Sequence, residues 1–247
     1  MKIGIVCALR VEAHSLLQTL GIATDSATER YCFAASKKSQ CSLIISGMGP
    51  ERAAQAAKEL AEEGADLLVS WGFAGGLDPK LTTGQLLIPS RLVTEAGVNI
   101  PLSAQADELV FNSLATKMAV SNESLVPVED AVKSVEDKET LYRASGAAAV
   151  DMESGAIASV ANEKEVPFLA VRALFDDASR HLPHFIDSAV DEFGSVKIAP
   201  FLNAILRHPK DLFLLPSLQR ESKAALQSLQ EAAKHLPELA AELEEAL

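Results

Sequence analysis

The chain has 247 residues, 48% hydrophobic and 23% charged, with 22 Lys and Arg against 34 Asp and Glu for a net charge of −12. That length suits one large domain or two small ones, and the composition excludes a disordered, collagen-like or disulfide-stapled chain. A field of that sign repels phosphate backbones, so no nucleic acid is expected as a partner.

The segment 2–8 is a short apolar run, and the apolar stretch 3–9 meets Arg10 and Glu12 with no small-residue cleavage site, so it reads as a buried strand and not a signal peptide. A helix follows over 12–20 and ends at Gly21. The strand 43–45 runs into Ser46-Gly47-Met48-Gly49, after which Pro50 and Glu51 open an Ala-rich helix to 63, closed by Gly64. Residues 66–71 are β-like and lead into Gly72-Phe73-Ala74-Gly75-Gly76, read as a glycine-rich loop that permits tight turns or close backbone approach. Further β segments are expected at 86–89 and 91–94, with helices at 106–118 and 136–144. A short run at 147–150 enters Asp151-Met152-Glu153, a small-residue helix covers 155–161, and a strand over 166–174 carries Arg172 and ends in Phe175-Asp176-Asp177. This alternation predicts an α/β fold with a central mixed, mostly parallel sheet flanked by helices.

Beyond about 200 the character changes. Apolar helices are expected over 201–206, 212–215 and from 218 onward, broken by Pro209 and Pro216, and the stretch 221–247 is helical with an interruption at Pro237. The expected organisation is a catalytic domain over 1–200 with an appended C-terminal helical segment over 201–247. No run of about 18 apolar residues is available to span a bilayer. The cysteines Cys7, Cys32 and Cys41 form no CxxC pair, which fits a reducing, cytoplasmic location.

Ligands of open α/β sheets bind beyond the carboxyl ends of the strands, which gives weight to polar residues found there. Four places qualify: Glu12, the 72–76 segment, Asp151-Met152-Glu153, and Asp176 with Asp177. Carboxylates converging on one mouth supply general acid and base chemistry, because unequal burial separates their pKa values. Glu12 also reads as a solvated acid in a first helical turn, and Asp176 as a cap or turn residue. Glu153 is harder to place on a solvated surface, since it follows an apolar strand and precedes a small-residue helix. Arg172 inside an apolar strand must be paired, and Glu12 would serve. The glycine segment matches neither G-x-G-x-x-G nor a P-loop, and Ser154 stands outside a G-x-S-x-G elbow. His14, His181, His184, His208 and His235 show no HExxH spacing, so neither a metal nor a cofactor is called for.

In this order the residues resemble the nucleoside phosphorylase family, which includes methylthioadenosine/S-adenosylhomocysteine nucleosidases, purine and uridine phosphorylases and futalosine hydrolases. The landmarks, within about 1–200, are Lys2-Ile3-Gly4-Ile5-Val6 through Glu12, Ser46-Gly47-Met48-Gly49, Gly72-Phe73-Ala74-Gly75-Gly76, Val150-Asp151-Met152-Glu153 and Arg172-Ala173-Leu174-Phe175-Asp176. The resemblance implies cleavage of a ribose–base bond through an oxocarbenium-like transition state. It casts Glu12 as the group that activates water, oriented by Arg172. A carboxylate there repels phosphate and favours water, with phosphorolysis as the alternative. Glu153 would hold the ribose hydroxyls, ionised at its helix N-terminus, and Met152 would pack on the sugar. Asp151 and Gly75 join this substrate-binding set, and Asp176 would protonate the purine at N7. Three departures stand out: Phe73 and Phe175 replace residues that commonly carry hydroxyls, and Val132 stands where a base-stacking aromatic residue is expected. They point away from ordinary methylthioadenosine as the substrate.

The tail, over about 200–233, resembles the extension of the hopanoid-associated phosphorylases. The match rests on Phe201-Leu202-Asn203-Ala204-Ile205-Leu206 with Arg207-His208-Pro209, on 212–218, and on Arg220-Glu221-Ser222-Lys223-Ala224-Ala225-Leu226. That resemblance implies adenine release from adenosylhopane, whose hydrocarbon suits apolar helices and the rings of Phe73 and Phe175. Between Pro200 and Lys223 the cations Arg207, Lys210, Arg220 and Lys223 outnumber the anions Asp211 and Glu221, which suits peripheral contact with an anionic membrane. Packing of these helices on the core or on a second subunit is the plainer alternative, and the family resemblance implies a homo-oligomer. The rival functions are a methylthioadenosine/S-adenosylhomocysteine nucleosidase and a catalytically silent nucleoside-binding protein.

Overall fold

Apolar runs flanked by glycine and proline build one large sheet whose central strands are buried on both faces. The computed structural model describes residues 1–100, 104–183, 191–195, 197 and 215–247. In chain order the elements are β1 (Lys2–Cys7), α1 (Arg10–Thr19), β2 (Arg30–Ala34), β3 (Gln40–Ile45), α2 (Pro50–Glu62) and β4 (Leu67–Gly76). Then come β5 (Leu86–Leu87), β6 (Leu92–Val93), β7 (Asn99–Ile100), α3 (Ala104–Ala115), β8 (Val120–Ser121) and β9 (Leu125–Pro127). The last are α4 (Val135–Ser145), β10 (Ala149–Asp151), α5 (Ser154–Glu163), β11 (Phe168–Asp176), α6 (Leu215–Lys234) and α7 (Leu236–Ala246).

The eleven strands form a single mixed sheet with a main path β2-β3-β1-β4-β10-β9-β6-β7. Six of the ten strand pairings among the described residues are parallel, as the α/β expectation requires. The sheet forks at β4: its first half lies between β1 and β11, both parallel to it, and its last residues pair with antiparallel β10. One face is closed by α1, α3, α6 and α7 over Ile3, Ile5, Leu67, Val69 and Val171. The other is closed by α2 and α5, where Ala53, Ala56 and Ala57 meet Ile157, Ala158 and Ala161. Alanine at these positions lets the two helices approach each other and the sheet closely.

Local signals explain the helix ends. Gly49 takes φ 102° before Pro50 starts α2, and Ser134 caps α4 by accepting from the Asp137 N–H while Gly146 ends it in the left-handed conformation. The supposed glycine loop at 72–76 is instead the second half of β4, a ten-residue strand. Its glycines answer crowding, not turning: a Cβ on Gly72 would lie 2.5 Å from Glu12 Oε1, and one on Gly76 3.0 Å from the Asp176 carbonyl oxygen. The short strands β2, β7, β8 and β9 carry no strong apolar signal of their own and were not expected from the sequence.

Pro216 is the second described residue of α6, and the residues before 215 that would show a break there lie outside the described residues. Pro237 lies in the first turn of α7, and the chain bends at His235 as expected. Ala225, Leu229, Ala232, Leu236, Leu239 and Leu243 are buried in the larger core cluster, so 215–247 completes the sheet's covering. The segments expected at 201–206 and 212–214, with Arg207, His208, Pro209, Lys210, Asp211 and also His184, lie outside the described residues. Among the described residues no helix is long and apolar enough to cross a membrane.

Candidate active site

The carboxyl halves of β4 and β11 run side by side, with Arg172 level with Gly72 and Asp176 with Gly75. Two buried charge clusters grow from this pair of strands.

The first centres on Arg172, which is 1% exposed. Its Nη2 lies 2.5 Å from Asp151 Oδ2 and 3.9 Å from Glu153 Oε2, and it donates to the hydroxyls of Ser70 at 2.5 Å and Ser154 at 3.1 Å. The expected pairing with Glu12 is therefore corrected: the contact partner is Asp151, at the end of β10, and Glu12 acts on Arg172 only through its field. Burial works against the guanidinium's charge, but Asp151, Glu153 and Glu12 together hold its pKa above the usual value. Asp151 also accepts the Ser154 N–H at 3.1 Å, tying β10 to the start of α5.

Glu12, in the first turn of α1, is held by backbone. Its Oε2 accepts the Leu9 N–H and its Oε1 the Phe73 N–H, both at 2.8 Å. It is thus a first-turn acid as its sequence position suggested, yet it is buried, at 2% exposure. Burial pushes its pKa to about 7, against the pull of Arg172 and the two N–H donors, with Glu153 adding to the rise. Glu153 accepts the Gly49 N–H at 3.0 Å, which links the turn before α2 to this cluster. Glu153 stands at the N-cap of α5, and burial raises its pKa above the ordinary value, Arg172 opposing and Asp151 adding. Met152 is half-buried in the same turn.

The second cluster holds Asp176. The register of β11 against β4 shifts between Leu174 and Asp176, a bulge that re-aims the end of the strand. Asp176 is 2% exposed and its Oδ2 is ion-paired with Lys138 of α4, itself 1% exposed. Lys138 also donates to the Asp177 carbonyl at 2.8 Å. Burial raises the Asp176 pKa to about 6, Lys138 pulling it down and Glu221 and Asp177 pushing it up. A Cβ on Gly75 would come within 3.2 Å of Asp176 Oδ1, so glycine leaves that oxygen clear. Lys138 was missed from the sequence, as were Ser70 and Ser154; a lysine in a helix 38 positions before its partner gives no local signal.

The ring centroids of Phe73 and Phe175 lie 5.6 Å apart in a tilted pair on the β4 and β11 ends. Val132 packs with Leu141 and Val150 in the smallest apolar cluster. A cleft of about 490 Å³ opens beside Asp177 between Leu77, Pro79 and Leu81 on one side and Glu139 and Tyr142 of α4 on the other. A larger hollow of about 620 Å³, lined by Met1, Asp66 and Glu244, lies at the amino ends of the strands and holds none of these residues.

Residues 2–207 match the family model described as Phosphorylase superfamily. The chain belongs to this superfamily. Among curated superfamily relatives, the 5′-methylthioadenosine/S-adenosylhomocysteine nucleosidase of Shewanella denitrificans is 31% identical over 216 residues, covering 78% of this chain and 94% of the relative. The nucleosidase of the same name from Shewanella piezotolerans is 29% identical over 215 residues, covering 77% and 90%. Among solved structures, the Helicobacter pylori 5′-methylthioadenosine/S-adenosylhomocysteine nucleosidase with butyl-thio-DADMe-Immucillin-A superposes with TM-score 0.69 at 17% identity, over 100% of this chain and 99% of that one. The futalosine hydrolase of the same organism gives TM-score 0.65 at 20% identity, over 93% and 97%. Both share the fold of this superfamily member.

Proposed function

We propose that the protein is a nucleosidase that hydrolyses the N-glycosidic bond of a 5′-modified adenine nucleoside and releases adenine. The observation that carries this is the pair of buried carboxyls, Glu12 at Gly72 and Asp176 at Gly75, both with raised pKa values, three residues apart on β4. Three strand residues span on the order of 10 Å, room for a ribosyl ring and its base.

In this reading Glu12 takes a proton from water as the water oxygen bonds to C1′. Asp176 gives its proton to N7 as the C1′–N9 bond breaks, so the electron pair leaves on a neutral adenine. Glu153 faces the ribose hydroxyls, where its negative charge stabilises the cationic sugar. Phosphate is disfavoured as the acceptor because the Arg172 charge is already shared between Asp151 and Glu153. The names of the superfamily relatives support nucleoside cleavage. For the 5′ group we favour the hydrocarbon of adenosylhopane, supported by the Phe73–Phe175 ring pair and by the resemblance of the tail. The second reading, a methylthioadenosine/S-adenosylhomocysteine nucleosidase, is favoured by the relative at 31% identity.

The test is adenine release from adenosylhopane and from methylthioadenosine, each with and without phosphate, in detergent. The expected result is phosphate-independent release from adenosylhopane alone, abolished in Asp176→Asn, which folds but has no proton to give. Fast release from methylthioadenosine establishes the second reading, and turnover by Asp176→Asn removes Asp176 as the acid.

A further inference from the structure

Lys138 is the fourth residue of α4, a helix fixed at both ends by the Ser134 cap and Gly146. Its long side chain is fully buried, and an unpaired ammonium there would carry a heavy desolvation cost. Two groups receive it, Asp176 Oδ2 and the Asp177 carbonyl. The Asp177 contact locks the chain just past the bulge, and the Asp176 contact occupies one carboxylate oxygen. Among the described residues Oδ1 accepts no hydrogen bond, and Gly75 leaves its approach open.

We propose that Lys138 is a positioning residue for the reaction, holding Asp176 by Oδ2 so that Oδ1 alone meets the purine, and setting how readily that carboxyl gives up its proton. This rests on the reading of Asp176 as the general acid. Among the described residues the charged groups acting on Asp176 are Lys138 from α4, Asp177 next in the chain and Glu221 from α6, itself paired with Arg180 at 3.1 Å, while β4 brings Gly75 and Gly76 alongside it. Lys138 is the cation of the set that touches Asp176, so its removal leaves burial and two acids acting in one direction.

The sign of the effect follows. A reaction that needs Glu12 ionised and Asp176 protonated has a bell-shaped kcat/KM profile centred midway between the two pKa values, whichever is the higher. With values of about 7 and about 6, the centre falls at about pH 6.5. Lys138→Met raises the Asp176 pKa, and the centre moves up by half that rise.

Two measurements test this. The carboxyl ¹³C titration of Asp176, which needs no substrate, is expected to shift upward by about one unit or more in Lys138→Met. The kcat/KM profile for adenine release from the nucleoside that the wild type cleaves is expected to shift the same way. Because both read positions on the pH axis, a smaller folded fraction does not imitate them. Lys138→Gln keeps a hydrogen-bond donor without the charge; it should share the upward shift and retain more kcat than the Met variant. An unchanged titration in Lys138→Met overturns the proposal while leaving an inactive Asp176→Asn, and so the acid, in place. Equal kcat for Gln and Met overturns the orienting half, and an active Asp176→Asn overturns the acid and the proposal together.

Discussion

The two buried cations of β11's neighbourhood are held in opposite ways. Arg172 spreads a planar guanidinium over two carboxylates and two hydroxyls drawn from β4, β10 and α5, so its place is over-determined. Lys138 is a point charge on a flexible stem that meets one carboxylate and one carbonyl. The Arg172 cluster is a frame that ties Asp151 and Glu153 to the strand through several contacts at once. The Lys138 pair is a single adjustable contact, and a proton affinity set by one contact is one that a substitution can move without dismantling the site.

The largest expected effect breaks the frame. Arg172→Met leaves Asp151, Glu153 and Glu12 buried without their cation, and removing one partner of a buried pair costs about 3–5 kcal/mol. Urea unfolding at neutral pH should show this loss, and it should shrink towards acid pH as the raised carboxyls take up protons. Lys138→Met should cost clearly less, because Asp176, at about 6, protonates with little penalty. Equal losses for the two variants would remove the distinction between frame and contact.

Much of this arrangement was legible from the chain. The apolar runs and the Gly49-Pro50 and Gly21 boundaries located the central strands and helices, polar residues after strands picked out Glu12, Asp151, Glu153 and Asp176, and a charge inside an apolar strand picked out Arg172. What was misread had a common cause, that distant side chains decided it. Gly72 reads locally as a loop glycine, yet it is a strand residue kept small by Glu12, 60 positions away in sequence. Arg172 announced that it needed a partner, but Asp151 and Glu12 are equally good acids on paper, and only the placement of β10 chooses Asp151. Lys138 looks like one more solvated helix lysine until α4 docks. The edge strands β7 and β8, two residues each, are set by pairing and not by composition.

A smaller effect concerns the acid within the frame. Glu12 has a folded pKa of about 7 against an ordinary value of 4.5, so the native state binds more protons than the unfolded one between those values. Its stabilising contribution is complete below the unfolded value and is lost as the pH rises through about 7. Glu12→Gln removes that term: the drop in unfolding free energy from about pH 5 to about pH 8 should shrink by a few kcal/mol. Some drop remains, because Asp176 titrates with the same sign. The amide has one acceptor for two N–H donors, so stability at pH 5 should fall by about 1 kcal/mol or more. A steeper pH dependence in Glu12→Gln than in the wild type would show that Glu12 is held ionised by the frame.

The smallest effect sharpens the adjustable contact from the other side. Glu221 of α6 raises the Asp176 pKa, while its own partner Arg180 keeps it in place from the loop after β11. Glu221→Gln removes a negative charge facing Asp176, so the Asp176 pKa falls and the centre of the kcat/KM profile moves down. That is the opposite of Lys138→Met, and smaller, because Glu221 acts through space and not by contact. The Arg180–Glu221 pair is partly solvated, so the stability change should stay within about 1 kcal/mol. Opposite shifts from Lys138 and Glu221 would mean that helices from both halves of the chain set the proton affinity of one carboxyl. An upward shift in Glu221→Gln would mean that α6 reaches Asp176 by some route other than its charge.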